Sequence, residues 1–124
     1  MLPDAINDDG LIKHPVKGLD RRYIDELLVN AEEPDRNGLS VAGRALQKHG
    51  GREGSAFLAA KGSAATISSA GQEVVEEILS NPNSVATSRY HARFGNIIDV
   101  RAPDGRGVRI DSNGKLIGLL EPNE

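Results

Sequence analysis

The spacing of hydrophobic positions changes once along this chain, near Ser84. Upstream, apolar residues recur every three or four positions, as on one face of a helix; downstream they alternate, or run in short stretches between turn residues. The downstream stretch reads SVATSRYHARFGNIIDVRAPDGRGVRIDSNGKLIGLLEP, with FGN, PDG and SNG between its apolar runs. Gly takes positive φ cheaply, Pro presets its own φ, and Asn or Asp closes turns through its side chain. The pattern predicts an antiparallel meander with strands over Val85 to Phe94, Asn96 to Ala102, Gly107 to Asp111 and Lys115 to Leu120. Alternation puts Ala86, Ser88, Tyr90, Phe94, Ile98, Val100, Val108 and Ile110 on one side. The other side then carries Thr87, Arg89, His91, Arg93, Arg101 and Arg109. A one-residue slip would exchange the faces, so the expected sheet, with an apolar back and a basic front, depends on pairing that follows the turns.

Three helices are expected before it. Asp20 caps RRYIDELLVNA, whose stripe is Tyr23, Ile24, Leu27 and Leu28, and EEPDRNG ends it. Ser40 caps a second helix with Val41, Ala45 and Leu46 inward, stopped at Gly50-Gly51. The third, in GQEVVEEILSNPNS, turns Val74, Val75, Ile78 and Leu79 to the core and leaves Glu73, Glu76 and Glu77 as a solvated face. Residues 52–70 are rich in Gly, Ala and Ser and suit a loop with room for a short helical turn. Residues 1–39 are assigned to a linker or the remnant of a preceding region with one helix, and 40–124 to the functional domain. That first helix either packs on the domain or belongs to what precedes it.

Helices followed by an antiparallel sheet make the fold class α+β, with the helices on the apolar back. A chain of 124 residues is a single domain by size. With aromatics at only 3%, its core must come from Leu, Ile, Val and Ala. The absence of Cys removes disulfides, thiolate nucleophiles and Cys-based zinc sites. No run has the apolar length to cross a bilayer and no signal peptide opens the chain, so no membrane binding is expected of this segment.

Charge sharpens the picture. The net charge is −3, yet between Ser84 and Leu120 six basic residues meet three acidic ones, while Glu121 and Glu124 fall in the tail. A locally positive sheet on an acidic chain implies an anionic ligand at one place. No metal-binding cluster, phosphate-loop pattern or serine-nucleophile elbow accompanies it. His, Lys, Arg and Thr suffice for metal-free RNA cleavage. That reaction needs a proton acceptor for the ribose 2′-OH, a donor for the leaving 5′-oxygen and fixed positive charge at the phosphate.

Lys48 and His49 fall in the last turn of the second helix, where the helix dipole favours cations, so a structural reason stands beside the functional one. Arg44 lies one turn earlier on the same side. His14, beside Pro15 without a spaced partner, reads as a surface histidine. Arg93, Arg101 and Arg109 have cross-strand pairing with Asp99 or Asp111 as their structural explanation.

The segments SVAGRALQKHGGREGSAF, GQEVVEEILSNPNS and RFGNIIDVRAPDGRGVRIDSNGKLIGLLEP, within residues 40–122, resemble the C-terminal toxin domains of bacterial contact-dependent inhibition (CdiA-type) and RHS-type proteins. The resemblance implies the barnase/EndoU/colicin/RelE-like ribonuclease group, in which helices precede a four-stranded antiparallel sheet. It further implies cleavage of transfer RNA without metal or other cofactor, and neutralisation by a cognate immunity protein. The parent would be a secreted or cell-surface bacterial effector whose toxin acts in the target cell's cytoplasm. Matching residue by residue, His49 and Lys48 fall on the family's KHG and Arg106 on the Arg of PDGRG. His49 is then expected as acid or base, with Lys48 and Arg106 at the phosphate and His91 as the second candidate histidine. Arg44, Arg89, Arg93, Arg101, Arg109 and Thr87 are the expected substrate contacts. The competing reading is a non-catalytic nucleic-acid or protein interaction module using the basic face. Against it, the only aromatics of the sheet, Tyr90 and Phe94, are expected to be buried, leaving nothing for bases to stack on.

Overall fold

The computed structural model describes residues 18–124, so His14 lies outside the described residues. Three helices precede the sheet: α1 (Arg21–Ala31), α2 (Val41–Gly50) and α3 (Ala64–Ser80). The strands are β1 (Val85–His91), β2 (Gly95–Arg101), β3 (Gly107–Asp111) and β4 (Leu116–Leu120). They pair antiparallel in the order in which they occur in the chain, as the turn residues require. In the second turn, Asp104 Oδ1 accepts from the Arg106 N–H at 3.0 Å; in the third, Asp111 Oδ1 accepts from Asn113 at 2.8 Å and Lys115 at 3.0 Å.

The register sets Ala86 opposite Val100, Ser88 opposite Ile98, and Val100 opposite Val108 on one face. Thr87, Asp99 and Arg109 lie opposite one another on the other face. The helices cover the first face, α3 over β2 and β3, and α2 and α1 against β4. Ile24, Leu27 and Ala31 of α1 join Leu46, Ile78, Val100, Val108 and Leu119 in one core, so α1 packs on the domain. The Asn30 amide adds a tie by donating to the Gly114 carbonyl at 2.9 Å.

Several expectations are corrected. The third helix starts at Ala64, inside the stretch expected to be loop. Ser63 caps it by accepting from the Thr66 N–H at 3.2 Å, and Ile67 continues the buried stripe one turn upstream. Its small residues serve a close helix crossing. A Cβ at Gly71 would lie 2.6 Å from the Ala42 carbonyl carbon and 2.8 Å from Gly43 Cα, so only glycine lets α3 approach α2. Gly50 ends α2 for a similar reason: a Cβ there would meet Ala59 Cα and Leu58 O at 2.9 Å. Strand β1 stops at His91, because Ala92–Phe94 form the hairpin turn and Gly95, at φ 78°, re-enters the sheet. Tyr90 is exposed by 71% and Phe94 is half-buried, since β1 is an edge strand extending past the helices. Both were expected inside.

The Gly71 contact yields a stability prediction. Gly71→Ala should destabilise by about 1–3 kcal/mol in urea unfolding, as overpacking does. That outweighs the roughly 1 kcal/mol that alanine normally gains in a helix interior. Gly51→Ala, with open space around it, should be near neutral in the same assay.

Candidate active site

Helix α2 carries the first functional side chain. Ser40 Oγ accepts from the Gly43 N–H at 2.9 Å and starts the helix; Ala42, Ala45 and Leu46 form its buried stripe. His49 stands three and four residues after Leu46 and Ala45, and therefore turns inward with them. Lys48, one position earlier, points to solvent. The His49 and Glu121 side chains are only 10% and 14% exposed, and His49 Nδ1 lies 2.8 Å from Glu121 Oε2. Glu121 directly follows β4, so the end of the sheet brings it to the end of α2.

Two further donors fix that carboxylate. Ser55 Oγ donates to Oε2 at 2.7 Å, and the Ala56 N–H donates to Oε1 at 2.8 Å. Burial pushes the Glu121 carboxyl up, but the Ala56 N–H, the Ser55 hydroxyl and His49 together hold it below the ordinary carboxylate range. An ionised carboxylate has only lone pairs to offer, so Nδ1 carries the proton in this contact. The neutral imidazole then presents Nε2 as its basic atom. Nε2 has no hydrogen-bond partner among the described residues and is not closed off from solvent. Phe57 backs the ring edge-on, with centroids 5.4 Å apart.

His49 lines a cleft of about 280 Å³ with Asp35, Arg44, Lys48, Ile117 and Gly118. Arg44 Nη1 sits 3.7 Å from Asp35 Oδ2, both partly exposed, while Lys48 has no carboxylate partner among the described residues. The cleft therefore offers a basic imidazole beside two cations, a suitable lining for a phosphodiester. Glu121 and Ser55 line a second cleft, of about 370 Å³, with Arg52 and Pro122. Among the described residues no three His, Cys, Asp or Glu side chains gather to hold a metal ion.

The remaining candidates do not converge on this point. Arg106 donates to Asp104 Oδ2 at 2.8 Å and to Glu77 Oε1 at 2.9 Å, and its guanidinium lies 5.8 Å from the centre of the Phe57 ring. It meets His49 only through that ring. Arg101 donates to the carbonyls of Gly105 (2.7 Å), Glu121 (3.0 Å) and Glu124 (2.6 Å), clasping the segment that carries the Glu121 carboxylate. Arg109 forms a two-pronged pair with Asp99 at 2.7 and 2.9 Å, and Arg89 reaches the same carboxylate at 3.5 Å. Burial raises the Asp99 carboxyl, but hydrogen bonds and charge from Arg109, then Arg89 and Arg101, bring it below its usual value. Thr87 lies exposed across from Asp99. The expected basic front is thus largely neutralised at its centre.

His91 and Arg93 sit at the far edge of the sheet. His91 Nδ1 accepts from the Arg93 N–H at 3.0 Å, and its ring leans on Phe94 at 4.9 Å. Strands β1 and β4 are opposite edges, roughly 14 Å apart at about 4.8 Å per strand. The two histidines therefore do not form one acid–base pair. Sequence reasoning missed Glu121 and Ser55. The one available signal was an acid set immediately after an apolar strand, in the LEP ending.

Comparisons with known proteins bear on the family and the fold. A family described as the CdiA C-terminal tRNase toxin domain matches residues 28–121, a span that includes Arg44, Lys48, His49, Arg106 and Glu121. No curated protein matches the chain. Among solved structures, the toxic C-terminal tip of CdiA from Pseudomonas aeruginosa, in complex with immune protein, is similar with a TM-score of 0.64 and 29% identity. The similarity covers 74% of this chain and 98% of that one. With the match extending over most of its length, the chain belongs to the CdiA C-terminal tRNase toxin domains, antibacterial toxins that are endoribonucleases.

Proposed function

We propose that this domain cuts transfer RNA without a metal ion, by attack of a ribose 2′-OH on the adjacent phosphodiester. The observation that carries the reading is the buried contact of His49 Nδ1 with Glu121, which leaves Nε2 without a partner among the described residues, on a histidine that lines the cleft. Nε2 takes the 2′-OH proton, O2′ bonds to phosphorus, and the bond from phosphorus to the 5′-oxygen breaks. The products are a 2′,3′-cyclic phosphate and a free 5′-OH. Attack and departure are in line, so the leaving oxygen takes its proton from a donor on the other side of the phosphorus. Solvent water supplies that proton, while Lys48, on the cleft wall beside His49, adds positive charge at the phosphate. Arg44 balances the charge of the crowded phosphate, and Glu121 keeps the imidazole in the tautomer and orientation the step needs. Arg106 supports the site through Phe57.

Carried to its target as part of a surface protein, the domain acts in the cytoplasm, where tRNA is met. Its producer is protected by a cognate immunity protein, as the immune protein held by the Pseudomonas aeruginosa CdiA tip suggests. An acidic partner covering Arg44, Lys48 and His49 would block the reaction, with binding that weakens as salt rises.

Three outcomes test the reading. Incubated with tRNA in EDTA, the wild type should give discrete fragments ending in cyclic phosphate, and His49→Ala should be slower by about 10²–10⁴-fold. Cleavage that needs added magnesium would overturn the metal-free mechanism. Second, a tRNA carrying a 2′-deoxy sugar at the cut nucleotide should resist cleavage at that bond alone, as gel mapping would read.

The third outcome concerns acid. Glu121 titrates below its ordinary value of 4.5 in the folded protein, so the unfolded chain takes up its proton first as pH falls. Its stabilisation is complete above that value and disappears as pH drops through the folded-state value. Glu121→Gln should therefore flatten the acid limb of a plot of unfolding free energy against pH below about 4.5, relative to wild type.

A further inference from the structure

We propose that the β1–β2 hairpin is a second RNA-contact site, remote from His49, which grips single-stranded backbone and stacks an unpaired base. This rests on the ribonuclease reading and extends it to a surface that the reaction does not use. From Ser84 to Ile98 the chain has no acidic residue while carrying Arg89, His91 and Arg93, on a molecule of net charge −3. At the hairpin tip the Arg93 guanidinium lies 5.2 Å from the centre of the Phe94 ring, and His91 leans on the same ring at 4.9 Å. That stack holds Arg93 in place. The guanidinium forms no ion pair with the described residues, unlike those of Arg106 and Arg109. Tyr90, 71% exposed, precedes His91 on the same edge strand, on the face opposite to Arg89 and His91.

Charged residues on an edge strand have an ordinary purpose, since they discourage strand-to-strand aggregation. That accounts for Arg89 and Arg93 but not for an exposed tyrosine and a ring held between Arg93 and His91. Single-stranded RNA recognition needs that combination: guanidinium on phosphate and an aromatic face under an unstacked base. Duplex RNA hides its bases, so the ligand is a loop or other unpaired segment. Three strand spacings across the sheet and about six residues along it put roughly 25 Å between the hairpin tip and Glu121 beside His49, a span that several nucleotides of extended strand can cover. One RNA can thus meet both places, the cleft at the scissile bond and the hairpin some nucleotides away.

The test uses bacterial tRNA as probe and two backgrounds, the cleavage-deficient His49→Ala protein for binding and the wild type for kinetics. Arg93→Gln and Tyr90→Ser together should raise the Kd for tRNA by about tenfold or more. Arg93→Gln should lower the slope of log K against log salt by about one, and Arg93→Lys should restore the slope without restoring full affinity. In the active protein the loss should appear in KM and not in kcat. Unchanged Kd and salt slope, in proteins that still cleave tRNA through His49, would overturn the hairpin site and leave the ribonuclease reading standing. A wild type that neither binds nor cuts tRNA would remove both. Variants that keep tRNA affinity but escape a neutralising immunity protein would make the hairpin a protein-docking surface, which also overturns the proposal.

Discussion

The Glu121 carboxylate joins three parts of the molecule that are far apart in the chain. It follows β4, accepts from the loop after α2 through Ser55 and Ala56, and holds His49 at the end of α2. Two largely buried groups that can ionise would be costly if either stood alone; matched to one another and to two further donors, they are tolerated. The same tie that closes the corner between helix and sheet also sets the tautomer of the imidazole. Stability of that corner and chemistry of the site are therefore one constraint.

Arginines support this arrangement more than they decorate the surface. Arg101 holds the backbone around Glu121, and Arg106 spans Glu77 and Asp104 while lying on the ring that backs His49. Arg109 neutralises Asp99, which is nearly buried on the open face. A planar guanidinium with five donors suits such bridging, because it satisfies carbonyls or carboxylates at several angles without losing charge. Of the cations expected at the substrate, Lys48 on the α2 cleft and Arg93 at the hairpin form no ion pair with the described residues, and Arg44 reaches Asp35 only at 3.7 Å. A net basic sheet is consequently a poorer guide to the binding surface than the pairing of each cation.

Much of the fold could be read directly. Alternation from Val85 onward, punctuated by Gly-, Asp- and Asn-bearing turns, led to the meander and its faces, because a period of two and tight turns are local properties. Asp20 and Ser40 were readable as caps for the same reason, each bonding only three residues ahead. The stretch from Ala64 to Ala70 was not legible. Its alanines, serines and threonine, with Ile67 alone among them, lack a strong stripe, and only the close approach of α2 explains why small residues there make a helix. Tyr90 was misplaced because alternation gives a face but not whether a helix covers it.

The sequence by itself determined the order of elements and the family, since these rest on local periodicity, turn chemistry and shared motifs. It also singled out Lys48 and His49. Only the tertiary structure decided which partner His49 has, because Glu121 is brought to it by strand pairing and helix packing across 72 residues of chain. The same long-range packing put His49 and His91 at diagonally opposite corners of the sheet and bound Arg101, Arg106 and Arg109 to internal partners. Chemistry of the side chains is written in the sequence; which of them remain unpaired at one place depends on contacts between distant segments.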